Sequence, residues 1–142
     1  MYFNENTVLF LDGKWLKASE TTTSLYNQTL HYGNGVFEGI RAYETEHGPS
    51  IFKAREHYER LLFSAKTMYI DLPYSVERFI QLSYELLEKN DLQNAYIRPL
   101  VYLGESLHLN PSEEVHVLLT AWEWDKFLGD KLIDVMVSPY ER

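Results

Sequence analysis

From Ala95 to Leu103 the chain alternates without a break. Ala95, Ile97, Pro99, Val101 and Leu103 are apolar, while Tyr96, Arg98, Leu100 and Tyr102 fill the positions between them. Side chains on a strand point to opposite faces in turn, so nine residues of this pattern demand a sheet with one greasy face that something must cover. The cover is found upstream. Tyr58, Leu61, Leu62, Ala65, Met68 and Tyr69 recur at the spacing of one helix face, starting near Ala54 and ending at Pro73. Ser75 can cap a second helix, with Glu77 favoured in its first turn and Val76, Phe79, Ile80, Leu86 and Leu87 as its buried side. Asn90 is placed to stop that helix in a left-handed conformation.

The remaining segments read as strands and turns. Val8–Leu11 and Trp15–Lys17 flank Asp12-Gly13, a dipeptide suited to a tight hairpin. A polar loop over Ser19–Ser24 follows. Gly33-Asn34-Gly35 then precedes a long strand, Val36–Glu44, which ends at His47-Gly48-Pro49, and a short strand over Ser50–Lys53 comes next. Val115–Trp122 is almost continuously apolar and predicts a central strand covered on both faces; Ile133–Ser138 predicts a last one. No linker, repeat or low-complexity stretch interrupts the order β-β-β-β-α-α-β-β-β. The expectation is one α+β domain over residues 1–142: an antiparallel or mixed sheet of about six to seven strands with two helices on one face.

Composition narrows the partners. Twenty-one acidic residues against 13 basic ones give a net charge of −8, which argues against binding nucleic-acid phosphates or an anionic membrane. There is no cysteine, so disulfides and thiolate chemistry are excluded. The five histidines lack close ligand spacing, and no metal is expected. No apolar run approaches the roughly 20 residues of a membrane span, and the N-terminus lacks the features of a signal peptide, so a cytoplasmic location is expected.

The two long strands share a second property. Val36, Ile40 and Ala42 form an apolar face on Val36–Glu44, with Glu38 out of character, while Phe37, Gly39, Arg41 and Tyr43 share the other face. Tyr96 and Arg98 repeat that chemistry. Such a face is either a solvated sheet surface or a wall for a small organic anion, with aromatics for shape, arginine for a carboxylate and glycine for close approach.

The segment from Leu30 to Tyr43, LHYGNGVFEGIRAY, resembles the N-terminal signature of the branched-chain amino acid aminotransferases, fold-type IV enzymes that use pyridoxal phosphate. Phe52, then Glu56-His57-Tyr58-Glu59-Arg60-Leu61, then Ser64-Ala65-Lys66, and finally Ala95-Tyr96-Ile97-Arg98-Pro99-Leu100 continue the resemblance in order. It implies that Arg60 binds the cofactor phosphate and that Phe37, Gly39, Arg41, Tyr96 and Arg98 line the substrate pocket. Tyr96 would offer its hydroxyl to the substrate carboxylate, and Arg98 would take the second carboxylate of glutamate. Tyr32 and Leu109 would enter the pocket of a neighbouring subunit in a homodimer or higher homo-oligomer. Without the resemblance, Arg60 is an ordinary solvated helix residue, and His57 reads as a packing residue.

A transaminase also needs a lysine bonded to its cofactor. The seven lysines, Lys14, Lys17, Lys53, Lys66, Lys89, Lys126 and Lys131, fall outside the family's lysine motif. The expectation is therefore a small N-terminal domain with no catalytic residue of its own, the Schiff-base lysine lying beyond Arg142. The implied reaction moves the amino group of Leu, Ile or Val to 2-oxoglutarate. D-amino acid aminotransferase and aminodeoxychorismate lyase are the related alternatives. A non-catalytic module that dimerises or binds a small anion is the alternative from another class.

Overall fold

The structure is a computed structural model that describes residues 2–124, 132 and 134–139. Seven strands form one sheet: β1 Val8–Leu11, β2 Lys14–Lys17, β3 Val36–Phe37, β4 Ile40–Thr45, β5 Gly48–Ile51, β6 Ala95–Leu103 and β7 Val115–Glu123. Their order is β2-β1-β7-β6-β4-β5, with β3 also on β6, and every pairing is antiparallel. A short helix, α1 (Gln28–Tyr32), stands where the sequence predicts no element, and Ala18–Glu20 form a 3-10 turn within the Ser/Thr stretch. Helices α2 (Ala54–Thr67) and α3 (Val76–Lys89) cover one face of the sheet, as the apolar alternation requires.

Ile40, Ala42, Ala95, Ile97, Val101, Leu103, Val117, Leu119 and Ala121 from the strands meet Tyr58, Leu61, Ala65, Phe79, Leu82, Leu86 and Leu87 from the helices in one core. Each fully buried large side chain contributes about 1.5–3 kcal/mol through burial. Tyr58 stacks on Phe79 with ring centroids 5.0 Å apart, and its hydroxyl is hydrogen-bonded to Ser83.

Several element readings are corrected. Val36–Glu44 is not one strand: the ladder lapses at Glu38-Gly39 although the register with β6 is unchanged on either side. Glu38 N donates to Pro99 O at 3.1 Å, but Pro99 has no N–H to return the bond, so the pairing is one-sided there. The following strand is Gly48–Ile51 rather than Ser50–Lys53, because Gly48 already pairs with Thr45.

Met68 and Tyr69 leave the α2 stripe exposed. Tyr69 turns left-handed at φ 57° and Ile70 N donates to Ala65 O at 2.9 Å, so Ile70 takes the buried place. At the end of α3 the left-handed residue is Asp91 (φ 51°), not Asn90, whose amide instead bonds both the N–H and the C=O of Val8. Strand β7 is central but covered on one face only: His116, Leu118, Thr120 and Trp122 remain half-buried on the other. Ile133 lies outside the described residues. Residues 134–138 form no strand, and Val135, Met136 and Val137 are exposed.

Candidate functional site

The face of the sheet turned away from the helices carries the predicted wall. Arg41 stands opposite Tyr96 in the β4–β6 ladder, and Arg98 lies on the same face of β6. Arg98 packs its guanidinium 4.6 Å from the Phe37 ring centroid and 5.3 Å from that of Tyr96. Its Nη2 donates to the Tyr96 hydroxyl at 3.0 Å, while its Nε is buried and has no partner among the described residues. Gly39 closes the group, since a Cβ there would overlap the Tyr96 hydroxyl. Phe37, Gly39, Tyr96 and Arg98 are thus brought together as expected.

Two residues of this wall escape the sequence reading. The Trp122 and Trp124 rings lie 5.0 and 4.9 Å from that of Tyr96, and Arg41 Nη2 donates to the Trp124 carbonyl at 2.7 Å. Trp122 continues the alternation of β7, which a central strand with two covered faces would have hidden. Its indole Nε1 is buried without a hydrogen-bond partner among the described residues. The strand positions on this face, Arg41 and Tyr43, Tyr96 to Tyr102, and His116 to Trp122, include no carboxylate. Asp12 and Glu114 reach this face beside His116, at 2.7 and 3.6 Å, so in a chain of net charge −8 it is the part around Tyr96 and Arg98 that forms a locally positive surface suited to an anion.

Arg60 lies elsewhere. Glu38, the misfit of the apolar face, points to the helix side and is 7% exposed. Arg60 reaches it with Nε at 2.5 Å and Nη2 at 2.7 Å, and His57 Nδ1 is 2.9 Å from the same carboxylate. Burial alone would push the Glu38 carboxyl up. The hydrogen bonds and charge of Arg60 and His57 outweigh it and hold the group below the usual carboxylate range. The Arg60 side chain is 63% exposed, so the carboxylate fixes one edge of the guanidinium while the rest faces outward. A fixed fork with open donors is chemically suited to a phosphate.

Tyr32 and Leu109 form a third locus. Tyr32 Oη donates to the Leu107 carbonyl at 3.0 Å, which joins the end of α1 to the loop that carries Leu109. Leu109 is 89% exposed and Tyr32 50%. Neither makes a ring contact or hydrogen bond with the Arg98 group among the described residues. No cluster of His, Asp and Glu among the described residues is able to hold a metal, and no helix there is long and apolar enough to cross a membrane.

The family model for amino-transferase class IV matches residues 35–142, well over half of the chain. The chain belongs to this family. A branched-chain-amino-acid aminotransferase of Pseudomonas aeruginosa is 39% identical over 141 residues, spanning 95% of this chain and 46% of that protein. The corresponding Salmonella typhimurium protein is 34% identical over 94% of this chain and 46% of its own length. Among solved structures, a branched-chain amino acid aminotransferase of Escherichia coli superposes with a TM-score of 0.83 at 32% identity, covering 88% of this chain and 42% of that one. A T.th. branched-chain amino acid aminotransferase complexed with N-(5'-phosphopyridoxyl)-L-glutamate matches at 0.80 and 38% identity, over 84% of this chain and 41% of that one. The chain therefore spans under half the length of these class IV relatives. The α+β fold and the antiparallel sheet are those of the matched region.

Proposed function

We propose that this chain forms the substrate-facing small domain of a pyridoxal-phosphate-dependent transaminase that exchanges amino groups between branched-chain L-amino acids and 2-oxoglutarate. The observation that carries the reading is the acid-free wall around Tyr96 and Arg98, with two buried donors, Arg98 Nε and Trp122 Nε1, left without partners among the described residues. The names of the P. aeruginosa and E. coli relatives, and the phosphopyridoxyl-glutamate complex of the T.th. relative, support it.

In this reading Arg60 would hold the cofactor phosphate through the donors that Glu38 leaves open. When bound, the cofactor supplies the electron sink for breaking the substrate Cα–H bond. The chain's own residues do the rest of the positioning. Tyr96 Oη presents a donor to the substrate α-carboxylate, Arg98 takes the distal carboxylate of glutamate, and Phe37 with Trp124 shapes the apolar space that Leu, Ile or Val would fill. Gly39 keeps the Tyr96 hydroxyl unobstructed. Of the described lysines, Lys14 and Lys17 lie on β2, three strands from β6, and Lys53, Lys66 and Lys89 lie at the ends of the helices. We assign the cofactor-bonding lysine to sequence beyond these 142 residues. Tyr32 and Leu109 would cap the pocket of a second copy in a cytoplasmic homodimer.

The test is steady-state kinetics on the full-length protein with leucine, isoleucine, valine and D-alanine as amino donors to 2-oxoglutarate. Turnover of the three branched-chain donors is expected, and turnover of D-alanine alone would replace the reading with a D-amino acid transaminase. Arg98→Leu should raise KM for 2-oxoglutarate at least about tenfold, the worth of one charge-assisted contact. Leucine KM should stay within about twofold, because leucine offers no second carboxylate.

A further inference from the structure

Gln28 is the most completely bonded buried polar side chain of the described residues. It is 1% exposed on α1. Its Nε2 donates to the carbonyls of His108 and Asn110, both at 2.8 Å, and its Oε1 accepts from Ser112 N at 2.9 Å and from Asn34 Nδ2 at 3.0 Å. A primary amide has two donors and two acceptor sites, so every hydrogen bond it can make is made. Three of the four go to backbone of one exposed loop, residues 104–114, which lies some 80 positions away in sequence.

That loop has little else to hold it. Gln28 N donates to Gly104 O and Ser106 N to Tyr26 O, while Tyr32 Oη donates to Leu107 O, so its first half is fastened by backbone and by Tyr32. From His108 to Ser112, the bonds to described groups outside the loop all come from Gln28. Leu107, His108, Leu109, Asn110 and Pro111 are exposed and contribute no buried apolar anchor. A loop of this length without packing of its own would otherwise sample many conformations. Only an amide satisfies the set: a carboxylate would set oxygen against two carbonyl oxygens, and an apolar group would leave four polar groups unsatisfied.

We propose that Gln28 is a positioning residue that locks α1 and the 104–114 loop into one body, and so sets where Tyr32 and Leu109 stand. The exposed apolar side chains Leu30, Tyr32, Leu107 and Leu109 all belong to that body, so the lock fixes their positions relative to one another. The functional consequence rests on the reading that Tyr32 and Leu109 reach into a second copy. The lock itself does not.

Amide hydrogen exchange by NMR on the purified protein separates the two. In Gln28→Met, the Ser112 N–H should exchange at least about tenfold faster, while Val117 and Leu119 in β7 stay within about twofold of the unaltered protein. Gln28→Glu should loosen the same loop at neutral pH and regain protection on acidification, because a protonated carboxyl donates again; Gln28→Met should show no such recovery. Unchanged Ser112 protection in Gln28→Met overturns the proposal. If that variant also loses β7 protection, Gln28→Glu at neutral pH decides, since it keeps the size of the side chain and removes the donors to the His108 and Asn110 carbonyls. A faster Ser112 exchange with β7 intact then supports the lock, and no change overturns it.

Sedimentation velocity gives the second arm. The dissociation constant for self-association should rise at least about tenfold in Gln28→Met. Equal association of the two proteins removes the positioning role. A protein that is monomeric at every concentration instead removes the second-copy reading and leaves the exchange result standing.

Discussion

Arg60 and Arg98 meet the same step of the sheet, where Glu38 faces Pro99, and the chain treats their charges in opposite ways. On the helix side, the buried Glu38 grips Arg60 with both oxygens, and His57 joins it. On the wall side, Arg98 has a phenol and two aromatic faces but no acid, and one of its N–H groups is buried and unspent among the described residues. A paired, partly exposed arginine contributes to the native state and is held in one orientation. An arginine without a counter-charge contributes little to folding and keeps its attraction for a ligand. The first is a donor already aimed; the second is a charge left to be answered.

The largest expected effect tests the gripped side. Arg60→Ala leaves the Glu38 carboxylate buried with the His57 ring as its remaining side-chain partner. Removing one partner of a fully buried pair costs about 3–5 kcal/mol, and the exposure of Arg60 reduces that to about 2 kcal/mol here. Urea unfolding of the purified protein measures it. A loss under about 0.5 kcal/mol would mean that the pair is ordinary surface electrostatics.

Gly39→Ala comes next, because it attacks the wall by shape rather than charge. The new Cβ must displace the Tyr96 hydroxyl, and the Tyr96 ring is wedged against Trp122 and Trp124. Overpacking of this kind costs about 1–2 kcal/mol. Near-ultraviolet circular dichroism should change with it, since the coupled aromatic rings move. Unchanged dichroism with native stability would show that the ring has room that the geometry does not reveal.

Acid gives a smaller, signed effect. The folded-state carboxyl of Glu38 lies below its ordinary value of 4.5, so the stability it contributes is present above that value. It is lost as pH falls below 4.5 and through the lower folded-state value. Glu38→Gln removes this dependence. The stability gap between the two proteins should therefore be widest near neutrality and shrink below pH 4.5. A gap that stays constant from neutrality down through the acid range would mean that Glu38 is not the group whose protonation matters.

The same two sides differ in how far the sequence reveals them. Strict alternation in β6 and the helical stripes make the layered architecture legible, because burial imposes period on every residue it touches. The Arg98 group is legible for the same reason: alternation assigns Phe37, Tyr96 and Arg98 to one face. Glu38 stands out only as a misfit, since its partners lie 19 and 22 positions away on a helix, and periodicity carries no information about which polar groups meet. Gln28 is illegible altogether, being an ordinary amide in a polar stretch whose partners are backbone atoms of residues 108, 110 and 112. The break between β3 and β4 is written in Pro99, whose missing N–H removes a bond on the neighbouring strand rather than its own.

The smallest expected effect is the sharpest test of the comparison. Arg98→Leu deletes a half-buried charge that has no acid to miss it. The change loses the stacking on Phe37 and Tyr96 and the bond to the Tyr96 hydroxyl, each worth about 0.5–1 kcal/mol. It also removes an unsatisfied buried N–H, whose desolvation costs about 1–3 kcal/mol. These contributions offset, so stability should stay within about 1 kcal/mol of the unaltered protein, even though a half-buried side chain has been exchanged. Binding should respond quite differently. A dicarboxylate such as 2-oxoglutarate, titrated into the full-length protein, should lose most of its affinity while the fold is unaffected. A loss of stability as large as that of Arg60→Ala, with dicarboxylate affinity unchanged, would mean that Arg98 holds the sheet together and that the wall is not built for an anion.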